Sequence, residues 1–309
     1  MEKIVIGTRG SALALIQAEQ VKATLEKIYN NRGFNLKIIK TKGDKIQNVA
    51  LAKIGGKGLF TKEIEDALFK KEISLAVHSM KDLPVDLPEG LILAAIMKRI
   101  EPRDVLISRE KVFLKNIKDG AKIGTSSPRR AAQLRAVKKD FKIFDLRGNI
   151  TTRLKKIFSE NFDAIVIAAA GLLRIGWIKE GKGFLKSPDE LLYGNILPLD
   201  IMLPAVGQGA IGVEVCSDNL KIINMLSKIN DKNTHIAISA ERSFLKALGG
   251  GCQTPIGAFA TINKEKLTII GGVFSDDGQK ISRAKIEGKK DKAEELGRQL
   301  AEKVEYNVS

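Results

Sequence analysis

Lys122-Ile123-Gly124-Thr125-Ser126-Ser127-Pro128-Arg129-Arg130 decides the fold. Its start predicts a strand over residues 122–125. Ser127 is a good N-cap and Pro128 suits a first helical position, so a helix is predicted over 128–138. Two further junctions repeat the pattern. Thr8-Arg9-Gly10-Ser11 joins a strand at 3–8 to a helix at 11–29. Arg147-Gly148-Asn149 joins a strand at 142–146 to a helix at 149–160 that contains Arg153. A strongly apolar strand at 163–168 is followed by Arg174. This alternation of short strands and amphipathic helices predicts an α/β protein.

The junctions also carry chemistry. A helix N-terminus offers free N–H groups and a partial positive charge, and arginine forks with Ser/Thr hydroxyls turn it into a carboxylate or phosphate clamp. In open α/β sheets such strand ends converge on one crevice. At any single junction, a cap and a solvated arginine explain the residues equally well. Three junctions plus Arg174 favour an anion-binding cleft, for several carboxylates on one ligand or for a row of phosphates. Gly55-Gly56-Lys57-Gly58 lacks the spacing and Ser/Thr of a P-loop, which argues against a nucleoside triphosphate.

Around this core the pattern predicts strands at 36–41, 75–78 and 91–96, and a helix at 61–70. The polar stretch at 98–104 is a candidate crossing between domains. Residues 176–200 read as an insertion with one helix at 187–193. A strand ends near Cys216, and helices follow at 218–229 and 234–248. The tail then holds three strands, near Ala258, Leu267 and Ile281, and a helix at 291–304, an α+β ending.

Composition narrows the function. The 309 residues carry 52 Lys and Arg against 36 Asp and Glu, a net charge of +16. Aromatics are only 5% and form no base-stacking strand, so the charge does not single out nucleic acid. The longest apolar run, 164–173, is shorter than the roughly 20 residues a bilayer requires. Residues 1–6 lack the features of a signal peptide. The two cysteines imply no disulfide framework, and a reducing cytoplasm is expected. His78 and His235, the only histidines, lack the neighbours of a zinc site or a Ser-His-Asp triad.

Two residues stand apart. Asp82 follows a strand in Ser79-Met80-Lys81-Asp82-Leu83-Pro84. It is either a general acid at a sheet end or half of a Lys-Asp surface pair. Cys252 lies in Gly249-Gly250-Gly251-Cys252-Gln253-Thr254-Pro255-Ile256-Gly257. Its glycines let a ligand approach the sulfur, or merely make a turn.

Taken together, these segments resemble the hydroxymethylbilane synthase (porphobilinogen deaminase) family. The matching stretches are Gly7 to Ser11, Lys53-Ile54-Gly55-Gly56-Lys57-Gly58-Leu59-Phe60, Ala76 to Pro84, Gly124 to Arg130 and Leu146 to Asn149. Leu203 to Ala210 and Glu241-Arg242 through Cys252 to Gly257 complete the set, in family order from residue 4 to about 260. The resemblance implies two periplasmic-binding-protein-like α/β domains plus a smaller C-terminal α+β domain. Domain 1 would comprise 1–99 and 200–220, domain 2 residues 100–199, and domain 3 residues 221–309. It implies a transferase of haem biosynthesis. Four porphobilinogen molecules would be deaminated and joined on a dipyrromethane cofactor, self-assembled from substrate. Water would then release hydroxymethylbilane.

The site residues follow position by position. Cys252 would hold the cofactor by a thioether, and Asp82 would be catalytic. Lys81, Asp82, Thr125, Ser126, Ser127, Arg129, Arg130, Arg147 and Gly148 would bind the cofactor. Arg9, Ser11, Gln17, Lys53, Lys57, Phe60, Arg147, Arg153, Arg174 and Gln208 would bind substrate. No metal, nucleic-acid or membrane partner is implied, and a monomer is expected. Pro128 departs from the leucine of many relatives, and residues 176–200, which include Trp177, look longer than usual. The rival is a non-catalytic anion-binding module of solute-binding type, which needs neither Cys252 nor Asp82.

Overall fold

The computed structural model describes residues 3–30, 32–45, 58–178, 184–186, 191–250 and 254–304. They form two compact units. One comprises Met1–Arg99 with Ala210–His235, the other Ile100–Gly209 with Ile236–Ser309.

The first unit is built on a five-stranded sheet. Its strands are β1 (Ile4–Thr8), β2 (Phe34–Ile38), β3 (Leu75–Ser79), β4 (Leu91–Ile96) and β11 (Ile211–Cys216), in the order β2-β1-β3-β11-β4. β1 is parallel to β2 and β3, whereas β11 runs antiparallel to β3 and β4. Helices α1 (Ala12–Ile28), α2 (Lys42–Lys45) and α3 (Lys62–Phe69) belong to this unit. Ser11 caps α1, its Oγ accepting from the Ala14 N–H at 3.3 Å. Ala18, Val21 and Leu25 recur at helical spacing and enter one core with Ile4, Ile6 and Val213. Burying Val21 and Leu25 contributes about 1.5–3 kcal/mol each.

The second unit holds a six-stranded sheet of order β7-β6-β8-β5-β10-β9. Its strands are β5 (Asp104–Ser108), β6 (Lys122–Gly124), β7 (Lys142–Phe144), β8 (Ala164–Ala168), β9 (Phe184–Lys186) and β10 (Tyr193–Ile196). β6 is parallel to β7 and β8, and each of these three strands runs into a helix: α4 (Pro128–Val137), α5 (Ile150–Ser159) and α6 (Ala169–Arg174). Helices α7 (Leu220–Leu226) and α8 (Lys232–Ala247) follow β11. The chain ends in an antiparallel sheet of β12 (Ile256–Asn263), β13 (Lys266–Phe274) and β14 (Ile281–Lys289), with helix α9 (Ala293–Lys303). Phe274 of that sheet packs on Ala132 of α4 and on Leu203. The architecture is the expected one: two α/β sheets and a smaller C-terminal α+β part. Among the described residues, no helix is long and apolar enough to cross a membrane.

Two sequence expectations need correction. The helix expected at 187–193 is not formed in its described part, where Tyr193 begins β10; residues 187–190 lie outside the described residues. β10 pairs with β5 from Tyr193↔Ser108 to Ile196↔Val105 and with β9 on its other side. Satisfying the backbone of β5 overrides the helical tendency of the sequence before it. The crossing stretch also ends earlier than expected, because Asp104 already starts the fully buried β5.

Candidate active site

The arginines expected to bind anions lie at or just after the C-terminal ends of parallel strands in each unit. In the first, Arg9 follows β1 and pairs with Asp44. Its Nε and Nη2 lie 3.2 and 2.5 Å from one carboxylate oxygen. Its guanidinium also stacks over Phe60, 4.1 Å from the ring centroid. Gly43 makes room for that ring, since a Cβ there would lie 2.2 Å from it. Burial works to raise the Asp44 pKa, but Arg9 and Thr41 together hold it below the usual carboxylate range.

Gln17, nearly two turns beyond the Ser11 cap, is buried and accepts from the Ser79 hydroxyl at 2.9 Å. Its Nε2 is buried with no hydrogen-bond partner among the described residues. Ser79 leads into a short 3-10 turn, Met80–Asp82. The Met80 N–H donates to Ala210 O at 3.1 Å, fixing the turn on β11, and leaves the Asp82 side chain exposed. Beneath it, His78 Nε2 lies 3.0 Å from Glu214 Oε2, both groups buried. His78 is thus a core residue paired across β3 and β11.

In the second unit, the loop after β6 uses its hydroxyls internally. Thr125 Oγ1 accepts from the Ser127 N–H at 3.2 Å, and Ser127 Oγ caps α4 at the Arg130 N–H. Ser126 Oγ donates to Leu146 O and accepts from Leu146 N, joining this loop to the next. There Gly148 has φ +109°, and a Cβ would meet Thr152 at 2.8 Å. Asn149 caps α5 through the Thr152 N–H at 2.7 Å. Arg147 donates to Asp145 at 2.8 Å, and Arg153 donates to Gly148 O at 2.8 Å.

Arg129 and Arg130 are both buried, and both ion-pair with Asp104, at 2.9 and 2.7 Å. Gln208 donates to the same carboxylate at 2.9 Å. Burial strongly opposes a charge on Asp104, yet the two guanidiniums override it and bring its pKa down to about 2. Among the described residues, Arg174 has no such partner. It donates to Gly209 O at 3.0 Å, its Nε is buried and unbonded, and burial pushes its pKa down to about 10.

Lys53, Lys57 and Cys252 lie outside the described residues. The stem of the cysteine loop is described. Gly249 takes φ +61°, and the Gly249 and Gly250 N–H groups bond to Lys246 and Leu245 carbonyls, ending α8. A Cβ on Gly250 would lie 2.5 Å from Ile256, and one on Gly257 2.8 Å from Leu203. The Ala258 N–H donates to Pro204 O at 3.0 Å. Leu203 O in turn accepts from Arg129 and, at 3.1 Å, from Gln133. A backbone route therefore connects the cysteine loop to the arginine helix.

Sequence reasoning missed Asp44, Asp104 and Glu214. Only Asp44 carried a signal, in the turn-forming Thr41-Lys42-Gly43-Asp44.

Each α/β unit places guanidiniums at the ends of parallel strands, and the first unit also holds an exposed carboxylate on a sheet-end turn. Residues 4–224 match the family described as "Porphobilinogen deaminase, dipyromethane cofactor binding domain". Residues 235–305 match "Porphobilinogen deaminase, C-terminal domain". The chain belongs to the porphobilinogen deaminase family. A porphobilinogen deaminase of Desulforamulus reducens is 48% identical over 98% of this chain and 94% of its own length. That of Syntrophobacter fumaroxidans is 47% identical over 96% and 92%. Among solved structures, the periplasmic aliphatic sulphonate binding protein SsuA from Escherichia coli aligns at 13% identity with a TM-score of 0.42. The alignment covers 80% of this chain and 70% of that one.

Proposed function

We propose that this enzyme deaminates porphobilinogen and joins four such units head to tail on a covalent dipyrromethane primer. Hydrolysis then releases hydroxymethylbilane, with ammonia as the other product. The observation that carries the reading is the match of residues 4–224 to a dipyrromethane cofactor binding domain. The donor set fits that group, because each pyrrole bears carboxylates. Arg174 Nε and Gln17 Nε2 are buried donors without a partner, the state in which a carboxylate oxygen is most strongly bound.

Cys252 would hold the primer by a thioether, with Ser127, Arg129, Arg130 and Arg147 around its carboxylates. When bound, the dipyrromethane supplies the pyrrole carbon from which the product grows. Arg9, Ser11, Gln17, Arg153 and Arg174 receive the substrate's acetate and propionate. Lys53 and Lys57 add positive charge at positions outside the described residues. Asp82 gives its proton to the amine nitrogen of porphobilinogen. The C–N bond breaks, its electron pair leaves on ammonia, and the carboxylate of Asp82 stabilises the azafulvene cation left on the substrate. Asp82 then accepts the proton displaced where the new C–C bond forms, and the acid is restored. The Met80–Asp82 turn, fixed on β11 through Ala210, supports this role by holding an exposed carboxylate at a sheet end. The enzyme acts as a monomer, and its setting is the cytoplasm, which the low cysteine content, two in 309 residues, supports.

Intact-protein mass tests the reading. The isolated chain should exceed its sequence mass by one dipyrromethane, and Cys252→Ser should remove the excess. Asp82→Asn should keep that mass but lose roughly a hundredfold or more in ammonia release. An unmodified thiol in protein that still turns over porphobilinogen refutes the covalent primer, and near-normal turnover by Asp82→Asn refutes its role.

A further inference from the structure

Three residues expected to meet a ligand, two from the strand-end pattern and Gln208 from the family resemblance, meet instead on one carboxylate inside the fold. Arg130 donates to Asp104 Oδ1 through Nε at 3.2 Å and Nη2 at 2.7 Å, and to Val166 O through Nη1 at 3.0 Å. Arg129 Nη2 lies 2.9 Å from Asp104 Oδ2, and its Nη1 donates to Leu203 O. Gln208 Nε2 bridges Asp104 Oδ1 at 2.9 Å and Pro102 O at 2.6 Å. Asp104 is fully buried at the start of β5.

Two adjacent buried guanidiniums repel one another and need a counter-ion to remain in place. Asp104 supplies it, holding the Arg130 fork by two hydrogen bonds and Arg129 by an ion pair, while each guanidinium has five N–H donors, more than Asp104 and the backbone carbonyls take up. We propose that Asp104 is a positioning residue for carboxylate capture, holding Arg129 and Arg130 so that their remaining N–H groups meet the primer's carboxylates. The proposal rests on the function given above. It also makes a prediction opposite in sign to that of charge alone. Without Asp104 the trio carries two positive charges instead of one, and simple attraction would strengthen binding of an anion. Orientation predicts weaker binding.

The test is loading of apo chain, expressed without porphobilinogen, by graded porphobilinogen, with the covalent adduct counted by intact mass. Asp104→Asn keeps the shape and one acceptor oxygen. The half-loading concentration of its folded protein should rise about tenfold, the worth of one charge-assisted hydrogen bond. A half-loading concentration that falls overturns the proposal in favour of charge alone. One that is unchanged while the melting temperature drops overturns it in favour of a purely structural role. Should Asp104→Asn not fold, Asp104→Glu preserves the charge but moves it by one methylene. A rise in its half-loading concentration supports positioning, and an unchanged one overturns it. An unaltered chain that gains no adduct at any porphobilinogen concentration refutes the function itself. Normal loading of the variants refutes only the role of Asp104.

Discussion

Replacing Arg174 by methionine should stabilise the apo chain and weaken substrate binding at once. The guanidinium is largely buried, donates one hydrogen bond to Gly209 O, and leaves a buried Nε unbonded. Burial moves its pKa well below the usual arginine range, down to about 10, a displacement worth about 3 kcal/mol. Because the folded pKa of this base is depressed, the penalty is present in full below about pH 10 and fades only as pH rises beyond it. Methionine has a similar reach, fills the same space and removes the charge. Subtracting about 1 kcal/mol for the lost hydrogen bond leaves a net gain of about 2 kcal/mol at neutral pH. Urea unfolding of apo Arg174→Met beside the unaltered chain at pH 7.5 measures it. Steady-state kinetics on the loaded enzyme should show KM for porphobilinogen raised about tenfold or more, because a buried charge-assisted pair is lost. A less stable apo variant refutes the bookkeeping of burial, and an unchanged KM refutes the assignment of Arg174 to a substrate carboxylate.

Two further outcomes follow from buried groups. Asp104 titrates near 2 in the fold against 3.8 normally, so its stabilisation, about 2 kcal/mol, is complete above pH 4 and is lost as pH falls through 2. The stability difference between the unaltered chain and Asp104→Asn in urea should shrink across that window, and a difference constant from pH 5 to 2 contradicts the pairing. Gly209 has φ +94°, and a Cβ there would lie 2.7 Å from Ile100 O. Gly209→Ala should therefore destabilise by about 2–3 kcal/mol in urea, and a neutral effect would show that the segment shifts freely.

The α/β class was legible because local signals agreed with tertiary ones. Ser127 with Pro128, Asn149 and Ser11 each mark a helix start that the structure forms with the capping bond in place. The hairpin of β9 and β10 was not legible. Its strands exist because β5 needs a partner, a demand that lies some 85 residues earlier in the chain. The arginines illustrate a different limit. Their positions at strand ends were readable, but a side chain's partner is a tertiary fact. Arg9 turns to Asp44, Arg129 and Arg130 turn to Asp104, and Arg174 turns to a backbone carbonyl. Asp104 itself looked like the end of a polar linker, because nothing local distinguishes an acid that opens a buried strand from one that closes a loop. His78 shows the converse, a conspicuous residue whose partner is Glu214 in the core.

The backbone at Leu203 has a consequence for how this protein can vary. Its carbonyl accepts from Arg129 and Gln133, its N–H donates to Gln133, and it fills the space left by Gly257. The bonds are made by main-chain atoms, so a lineage could exchange Leu203 for another apolar residue of similar bulk and keep them. Gln133 and Gly257 have no such freedom: losing Gln133 leaves the Leu203 N–H without its partner, and a Cβ at Gly257 would press on Leu203 at 2.8 Å. Descent would then hold Gln133 and Gly257, 124 residues apart in the chain, each fixed for its own reason, while the apolar side chain between them drifts.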